Sequence, residues 1–160
     1  MNYILLLGGN IGERKEYIIK ARDAVSKQCG PILQMSSIYE TEAWGVENQQ
    51  DFLNQIIVVK SDENPFLFLN KILQIELDLG RLRFEKWAER VIDIDILFID
   101  NNIIESESLK VPHPEIQNRN FTLAPLVEIM PEFTHPQLNT KMTTLLEKCT
   151  DKLLARIFKG

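Results

Sequence analysis

Short apolar runs alternate with amphipathic segments along this chain, and the two patterns predict strands and helices. Apolar or alternating runs predict strands at residues 3–7, 32–39, 52–60, 91–99 and 103–104. Apolar residues at helical spacing predict long helices at residues 13–28 and 65–79, and shorter ones at 122–129 and within 145–154. Asn64 before Pro65 is a typical N-cap followed by a first helical position.

The order of the main elements, β-α-β-β-α-β, predicts an α+β fold. We expect a ferredoxin-like βαββαβ sandwich, with helices packed on a mostly antiparallel sheet. A length of 160 residues suits a single domain spanning residues 1–160. The net charge of −5 argues against broad binding to nucleic acid or anionic membranes, because no overall positive field would attract either.

The strand at residues 91–99 carries two acidic side chains in an otherwise apolar run. Asp93 and Asp95 stand two residues apart, so both point to the same face, roughly 6–7 Å apart along the strand. The other face is expected to be core and carries Ile92, Ile94, Ile96 and Phe98. Neighbouring carboxylates beside a core repel each other and lose hydration, so they need cations or a bound proton.

A cluster of basic residues precedes the two aspartates. Its members are Arg81, Arg83, Lys86 and Arg90. We interpret the pair and the cluster as a Mg²⁺ site with a polyphosphate clamp, because Mg²⁺ takes one or two carboxylates and completes its shell with phosphate and water. The alternative is an exposed edge strand whose aspartates pair with the nearby arginines.

Glycines follow the first predicted strand, in the sequence Gly-Gly-Asn-Ile-Gly at residues 8–12. Their spacing matches neither a phosphate-binding loop of the Gly-Lys-Ser/Thr type nor a dinucleotide fingerprint. We therefore predict a tight turn, in which glycine supplies positive φ.

Three polar or aromatic residues have both a structural and a functional interpretation. Trp44 in a polar loop either plugs the edge of the core or contacts a ligand. Asn54 lies on an apolar strand face, where it is satisfied by the backbone or recognises a ligand. His113 stands between two prolines and is a structural hydrogen-bonding group or a site residue, whereas His135 has no apparent partner.

The cysteines and the first residues indicate the compartment. Cys29 and Cys149 lack paired metal spacing, which predicts free, buried thiols in a reducing compartment. The first residues form a short apolar run without a basic lead, which predicts a strand rather than a signal peptide. No apolar run has transmembrane length, so we expect a cytoplasmic protein.

Several motifs occur in a fixed order along most of the chain. They lie at residues 7–10, 37–45, 51–54, 76–83, 87–90, 92–97, 111–113 and 118–126. They include Gly-Arg-x-Arg, Trp-x-x-Arg, Asp-x-Asp and Val-Pro-His. This combination resembles the 6-hydroxymethyl-7,8-dihydropterin pyrophosphokinase family of folate biosynthesis. The resemblance implies transfer of diphosphate from ATP to the hydroxymethyl group of the pterin, giving AMP and the pterin diphosphate.

The resemblance also implies a role for each matching residue. Two Mg²⁺ ions would be held by Asp93 and Asp95. ATP would be bound by Glu76, Arg81, Arg83, Arg90, His113 and Arg119. The pterin would be bound by Thr41, Glu42, Trp44, Phe52, Asn54, Phe121, Asp93 and Asp95. The catalytic set would be Arg81, Arg83, Trp87, Arg90, Asp93 and Asp95, with the first three on a loop that closes over the site.

The chain departs from the family pattern within that loop. Ala88 and Glu89 replace a frequent Gly-Pro pair, and Phe52 replaces a frequent tyrosine. These differences concern loop closure and nucleotide affinity more than the reaction itself.

Two other functions fit the pair of strand aspartates. A two-metal nucleotidyl transferase or cyclase would attack the α-phosphorus of ATP and release pyrophosphate. A non-catalytic ATP- or metal-sensing module could have the same fold, because this fold hosts many functions.

The expected partners are ATP and the pterin, without nucleic acid or membrane, and the expected assembly is a monomer.

Overall fold

The structure is a computed structural model that describes residues 1–43, 50–80 and 91–160. Its strands are β1 Asn2–Gly9, β2 Ile32–Met35, β3 Tyr39–Thr41, β4 Phe52–Lys60, β5 Asp93–Ile99, β6 Ile104–Glu105, β7 Lys110–Val111 and β8 Arg156–Ile157. Its α-helices are α1 Arg14–Gln28, α2 Pro65–Asp78, α3 Asn120–Ile129 and α4 Met142–Lys148. A 3₁₀ turn at Ile116–Asn118 precedes α3.

The main sheet has the strand order β5-β1-β4-β3-β8, and β2 also pairs with β4. Every pairing among the described strands is antiparallel, which confirms the predicted α+β sandwich. Helices α1 and α2 cover one face, where residues such as Ile18 and Phe68 join the larger core cluster. Helices α3 and α4 cover the other face through a second cluster that includes Leu123 and Leu145. The sheet therefore lies between two helical layers.

Local sequence signals place the boundaries of α1 and α2 well, whereas the helix predicted within residues 145–154 lies at Met142–Lys148. The Asn64 side chain accepts a hydrogen bond from the Phe66 backbone N–H, so it caps α2 as predicted, with Pro65 at the first turn. No helix within the described ranges is long and apolar enough to cross a membrane.

The predicted strand at residues 32–39 is divided into β2 and β3. Ser36 separates them, because its hydroxyl accepts a hydrogen bond from the Ile56 backbone N–H over 3.0 Å. A side chain thus occupies a position that the backbone ladder would otherwise fill, and the chain bends before β3 begins.

A β-bulge in β5 reverses the predicted side-chain alternation. Ile4 of β1 pairs with Phe98, but Leu5 pairs with Ile96, so Leu97 is the extra residue. Ile94 and Ile96 therefore join the α1/α2 cluster as predicted. Phe98 packs on the opposite face with α3 and α4, so its predicted place beside Ile94 and Ile96 is wrong.

The structure also corrects the predictions for the cysteines and for His135. Cys29 and Cys149 are free, as predicted, but each is half-buried rather than buried. His135 is buried and has partners, since its Nδ1 accepts hydrogen bonds from the Gln137 and Leu138 backbone N–H groups at 3.2 and 3.1 Å.

Candidate active site

The two aspartates of β5 lie where two cavities meet. Asp93 pairs with Gly8 and Asp95 with Leu6 on the neighbouring strand β1. Both aspartates line the same two cavities, one on the α3 face of the sheet and one beside α2 and the loop after β7. The intervening Ile94 belongs to the core, so the predicted division of this strand into an acidic and an apolar face holds at these positions.

The cavity on the α3 face has a volume of about 370 Å³ and is called here the aromatic cavity. Its lining is Leu6, Gly8, Thr41, Glu42, Phe52, Asn54, Asp93, Asp95, Arg119, Phe121 and Leu153. Two benzyl rings, an amide and a hydroxyl thus surround a space of the size that binds small ligands. The structure brings together here the predicted pterin-binding residues that it describes.

Polar groups in this cavity are positioned to recognise a ligand. Thr41 Oγ1 is buried and has no hydrogen-bond partner within residues 1–43, 50–80 and 91–160. Asn54 is only 5% exposed and lies opposite Gly8 across the β1–β4 pair. Buried polar atoms ordinarily have partners, so the Thr41 hydroxyl is an unsatisfied polar group within the wall of this cavity.

Gly8 makes the position of the Asn54 side chain possible. A Cβ atom at Gly8 would lie 2.3 Å from Asn54 Oδ1, well inside van der Waals contact. Gly8 belongs to β1 and is not in a turn, so the turn prediction for this residue is wrong. Gly12 does have the positive φ of 59° expected of a turn glycine.

The second cavity has a volume of about 290 Å³ and is called here the polar cavity. Its lining is Leu69, Leu73, Glu76, Asp93, Ile94, Asp95, Ile96, Glu107, Ser108, Leu109, Lys110, His113 and Pro114. The predicted ATP-binding residues Glu76 and His113 both lie here. Glu107, Ser108 and Lys110 were not predicted, because no motif distinguishes them from ordinary loop residues.

Glu76 fixes the backbone between the two aspartates. Its side chain is 2% exposed, and Oε2 accepts a hydrogen bond of 2.7 Å from the Ile94 backbone N–H. A charged acceptor makes a stronger hydrogen bond than a neutral one, so Glu76 holds β5 in place beside α2. The Glu76 carboxylate therefore binds a backbone N–H group and also lines the polar cavity.

His113 is oriented by its own loop. Its backbone N–H donates to the Leu97 carbonyl at 2.9 Å, and its Nδ1 accepts from the Glu115 backbone N–H at 3.1 Å. Burial lowers the pKa of His113 below its ordinary value, although the negative charge of Asp95 opposes the shift. Because Nδ1 accepts a hydrogen bond, Nε2 is the ring nitrogen that is available as a donor.

Arg119 lies at the aromatic cavity, immediately before α3. Its guanidinium carbon is 5.5 Å from the centre of the Phe121 ring, within the range of a cation–π contact. Arg119 and Phe121 therefore form one unit of the cavity wall. Arg119, which was predicted to bind the triphosphate of ATP, thus lies beside Phe121, which was predicted to stack on the pterin.

The aspartate pair suits a hard divalent cation. Among the residues that the structure describes, no group of three or more His, Cys, Asp or Glu side chains is arranged so that it could hold a metal ion. Two carboxylates with open space on both sides match Mg²⁺, which keeps several water or phosphate ligands, and do not match an ion that needs a full protein cage. Asp93 and Asp95 are thus the residues that could hold it.

Comparisons with known proteins assign the chain to a family. The model of the family described as 7,8-dihydro-6-hydroxymethylpterin-pyrophosphokinase (HPPK) matches residues 4–131. The chain belongs to this family. The match includes every described site residue named above except Leu153, which lies beyond it.

Relatives of known name resemble the chain along most of its length. A 2-amino-4-hydroxy-6-hydroxymethyldihydropteridine pyrophosphokinase of Aquifex aeolicus is 42% identical over 130 residues, which is 81% of this chain and 81% of the relative. The Bacillus subtilis protein of the same name is 43% identical over 126 residues, covering 78% of this chain and 75% of the relative. These identities support the resemblance found in the sequence motifs.

A solved structure shares the fold. The HPPK-DHPS protein of Plasmodium falciparum superposes with a TM-score of 0.73 at 20% identity. The alignment covers 92% of this chain and 44% of the larger protein. This likeness supports the HPPK-type fold, and at such low identity it says nothing about individual site residues.

Some predicted site residues of this HPPK-family chain lie outside the described residues. They are Trp44, Arg81, Arg83, Trp87 and Arg90. Their roles stay predictions from the resemblance.

Proposed function

We propose that this chain transfers the diphosphate of ATP to the hydroxymethyl group of 6-hydroxymethyl-7,8-dihydropterin, giving AMP and the pterin diphosphate. The observation that carries the proposal is the position of Asp93 and Asp95 at the junction of an aromatic and a polar cavity. An acceptor alcohol in one cavity and a polyphosphate in the other would meet at these carboxylates. Membership of the HPPK family supports the same reaction.

The aromatic cavity would hold the pterin. Phe52 and Phe121 offer aromatic surface to a flat heterocycle, and such contacts favour stacked or edge-to-face geometry. The Asn54 amide and the Thr41 hydroxyl can both donate and accept hydrogen bonds, which suits a ring edge of alternating donors and acceptors. A cavity with few polar groups in an apolar wall fixes the orientation of its ligand through those groups.

The polar cavity would hold the triphosphate of ATP. The Nε2–H group of His113 would donate a hydrogen bond to a phosphate oxygen, and Lys110 adds a positive side chain to the same wall. Asp93 and Asp95 would hold Mg²⁺, two ions by our proposal, which supplies charge neutralisation to the phosphates when bound. Glu76 would keep both aspartates in register through its hydrogen bond to Ile94.

The transfer needs alignment more than covalent help from the protein. The alcohol oxygen forms a bond to the β-phosphorus, the bond from that phosphorus to the oxygen shared with the α-phosphate breaks, and AMP leaves. The alcohol proton passes to solvent, so the atoms and charge balance. Reactions of this kind depend on positioning and electrostatic stabilisation. Arg81, Arg83, Trp87 and Arg90 complete the proposal, as residues that would neutralise charge and close over the site.

We extend the proposal to a cytoplasmic monomer that acts on these two small molecules without nucleic acid or membrane. The net charge of −5 supports the part of this proposal that excludes nucleic acid and anionic membranes, because it offers no general attraction for polyanions.

Product analysis tests the proposed function. The protein is incubated with ATP, Mg²⁺ and 6-hydroxymethyl-7,8-dihydropterin, and the products are separated by anion-exchange chromatography. We expect AMP and pterin diphosphate in equal amounts, loss of turnover with a chelator, and recovery with excess Mg²⁺. Release of pyrophosphate would indicate a nucleotidyl transferase, and ATP binding without any turnover would indicate a sensing module.

A further inference from the structure

The segment after α4, residues 149–160, wraps around one edge of the sheet. It begins on the α3 face, where Leu153 lines the aromatic cavity. It then pairs with β3 as β8, and its Phe158 packs against the α1/α2 core cluster on the other side. The HPPK family match ends at residue 131, so this segment adds to the cavity a wall that the family model does not cover.

Two side chains fasten the segment beside the cavity. Asp151 accepts hydrogen bonds from the Asn120 backbone N–H through Oδ2 and from the Leu153 backbone N–H through Oδ1, both at 3.0 Å. The buried Asn120 side chain donates in return to the Asp151 and Leu153 carbonyls, at 2.9 and 3.0 Å. Both backbone polar groups of Leu153 are thus held, so the position of its side chain is fixed relative to the start of α3.

A second anchor, Arg156, lies five residues after Asp151. Arg156 forms ion pairs with Glu40 at 3.1 Å and with Asp51 at 3.3 Å. Glu40 directly precedes Thr41, and Asp51 directly precedes Phe52, so both partners are next to residues of the aromatic cavity. The anchor therefore connects the segment to the two strands that carry the cavity wall.

The side chains of Leu153 and its neighbour Leu154 have different environments. Leu153 is partly buried at the cavity, whereas Leu154 is 76% exposed. Two leucines with the same chemistry and adjacent positions thus differ in access to the cavity. An exposed leucine by itself requires no functional explanation, but an apolar side chain held in a ligand cavity by a network of hydrogen bonds does.

We propose that Leu153 is a specificity-determining wall of the pterin cavity and that Asp151 is its positioning residue. This inference rests on the proposed function and extends the pterin-binding set beyond the residues that the family motifs indicate. An apolar side chain beside a flat ring excludes water and adds contact area, so its removal weakens pterin binding selectively. ATP would bind in the polar cavity, which Leu153 does not line, and is expected to bind as before.

The test compares Leu153→Ala with Leu154→Ala as the matched control. Dissociation constants for 6-hydroxymethyl-7,8-dihydropterin and for a non-hydrolysable ATP analogue are measured separately by calorimetry, together with kcat, KM and Tm. We expect Leu153→Ala to weaken pterin binding about tenfold, since a pocket that loses a few methyl groups discriminates by roughly that factor. Leu154→Ala is expected to change it by less than about twofold, and ATP-analogue binding is expected to be unchanged in both.

Two further variants test whether Leu153 contacts the pterin or only stabilises the fold. Leu153→Met conserves volume, so we expect wild-type pterin affinity. Asp151→Ala removes the hydrogen bonds from the Asn120 and Leu153 backbone N–H groups, so we expect pterin binding to weaken about threefold to tenfold with kcat little changed.

Either of two results would overturn the inference. The first is equal pterin affinity of the Leu153→Ala and Leu154→Ala variants. The second is an equal loss of pterin and ATP-analogue affinity with a large fall in Tm, which would assign Leu153 to stability alone. If the wild-type protein bound ATP but not the pterin, the proposed function itself would fail, and this inference with it.

Discussion

Gly8→Ala should remove the Asn54 side chain from the aromatic cavity without unfolding the protein. The added Cβ would lie 2.3 Å from Asn54 Oδ1, and contacts of this kind are essentially never shorter than 3.0 Å. The amide must therefore move by at least about 0.7 Å, the difference between those two distances. A hydrogen bond of ordinary length does not survive such a displacement unless the ligand moves too.

The expected effects on stability and on binding differ in size. Stability should change little, because the atom that must move ends a flexible side chain. In addition, Gly→Ala reduces the conformational freedom of the unfolded chain, worth about 0.5–1 kcal/mol. Pterin binding should weaken by about 1–3 kcal/mol, the usual cost of leaving a buried polar group unpaired. That range corresponds to roughly 5- to 150-fold in the dissociation constant.

A double-mutant cycle tests whether the effect acts through Asn54. Pterin affinity is measured by calorimetry for the wild type, Gly8→Ala, Asn54→Ala and the double variant. Once Asn54 is truncated, the nearest remaining atom, the Leu53 carbonyl oxygen, lies at an ordinary 3.4 Å from the added Cβ. We therefore expect Gly8→Ala to have almost no further effect in the Asn54→Ala background.

Additive losses would refute this reasoning. They would mean that the methyl group at residue 8 obstructs the ligand directly, independently of the amide. A loss of several kcal/mol in the free energy of unfolding for Gly8→Ala alone would also refute it, because the clash would then involve the backbone of β1 and β4.

Three more predictions concern the metal site, the strand that carries it and a buried histidine. Asp95→Ala should abolish turnover in the product assay with little change in Tm, whereas Asp62→Ala, at an exposed aspartate, should keep full activity. Glu76→Ala should lower the free energy of unfolding in urea by about 2 kcal/mol, because the Ile94 N–H loses its acceptor, and Glu76→Gln should lose less. Burial lowers the pKa of His135, so the folded state binds this proton less readily than the unfolded chain. The free energy of unfolding should therefore be highest above the unfolded-state pKa of about 6.5 and should fall as the pH drops below it. In urea titrations between pH 5 and 7.5, His135→Asn should make the free energy of unfolding depend less on pH.

Several features of the fold and site could be predicted from local patterns. The cap at Asn64 and the alternation around Asp93 and Asp95 depend on residues within a few positions of one another, and both occur in the structure as expected. The family motifs predicted the lining of the aromatic cavity at Phe52 and Phe121 for the same reason, since each motif is a short segment. Such features follow from sequence because their physical causes are local.

Other features depend on residues that are distant in the chain. The sequence around Gly8 predicts a turn. In the structure Gly8 lies in β1 opposite Asn54 of β4, and the Asn54 side chain occupies the space that a Cβ atom at Gly8 would need. The bulge at Leu97 arises from the register between β1 and β5, and no pattern within the strand indicates it. Leu153 resembles any other apolar residue until the Asn120–Asp151 hydrogen bonds bring it to the cavity.

Local patterns in the chain were thus enough to predict the order of the elements and the two carboxylates on one strand face, and the motifs were enough to predict the family. The two cavities beside the carboxylates, the contact between Gly8 and the Asn54 side chain, and the contribution of the segment after α4 to the cavity wall became visible only in the folded chain. This division arises because periodicity and capping act over one or two turns of chain. Cavities, bulges and close approaches, by contrast, are made by the packing of segments many residues apart.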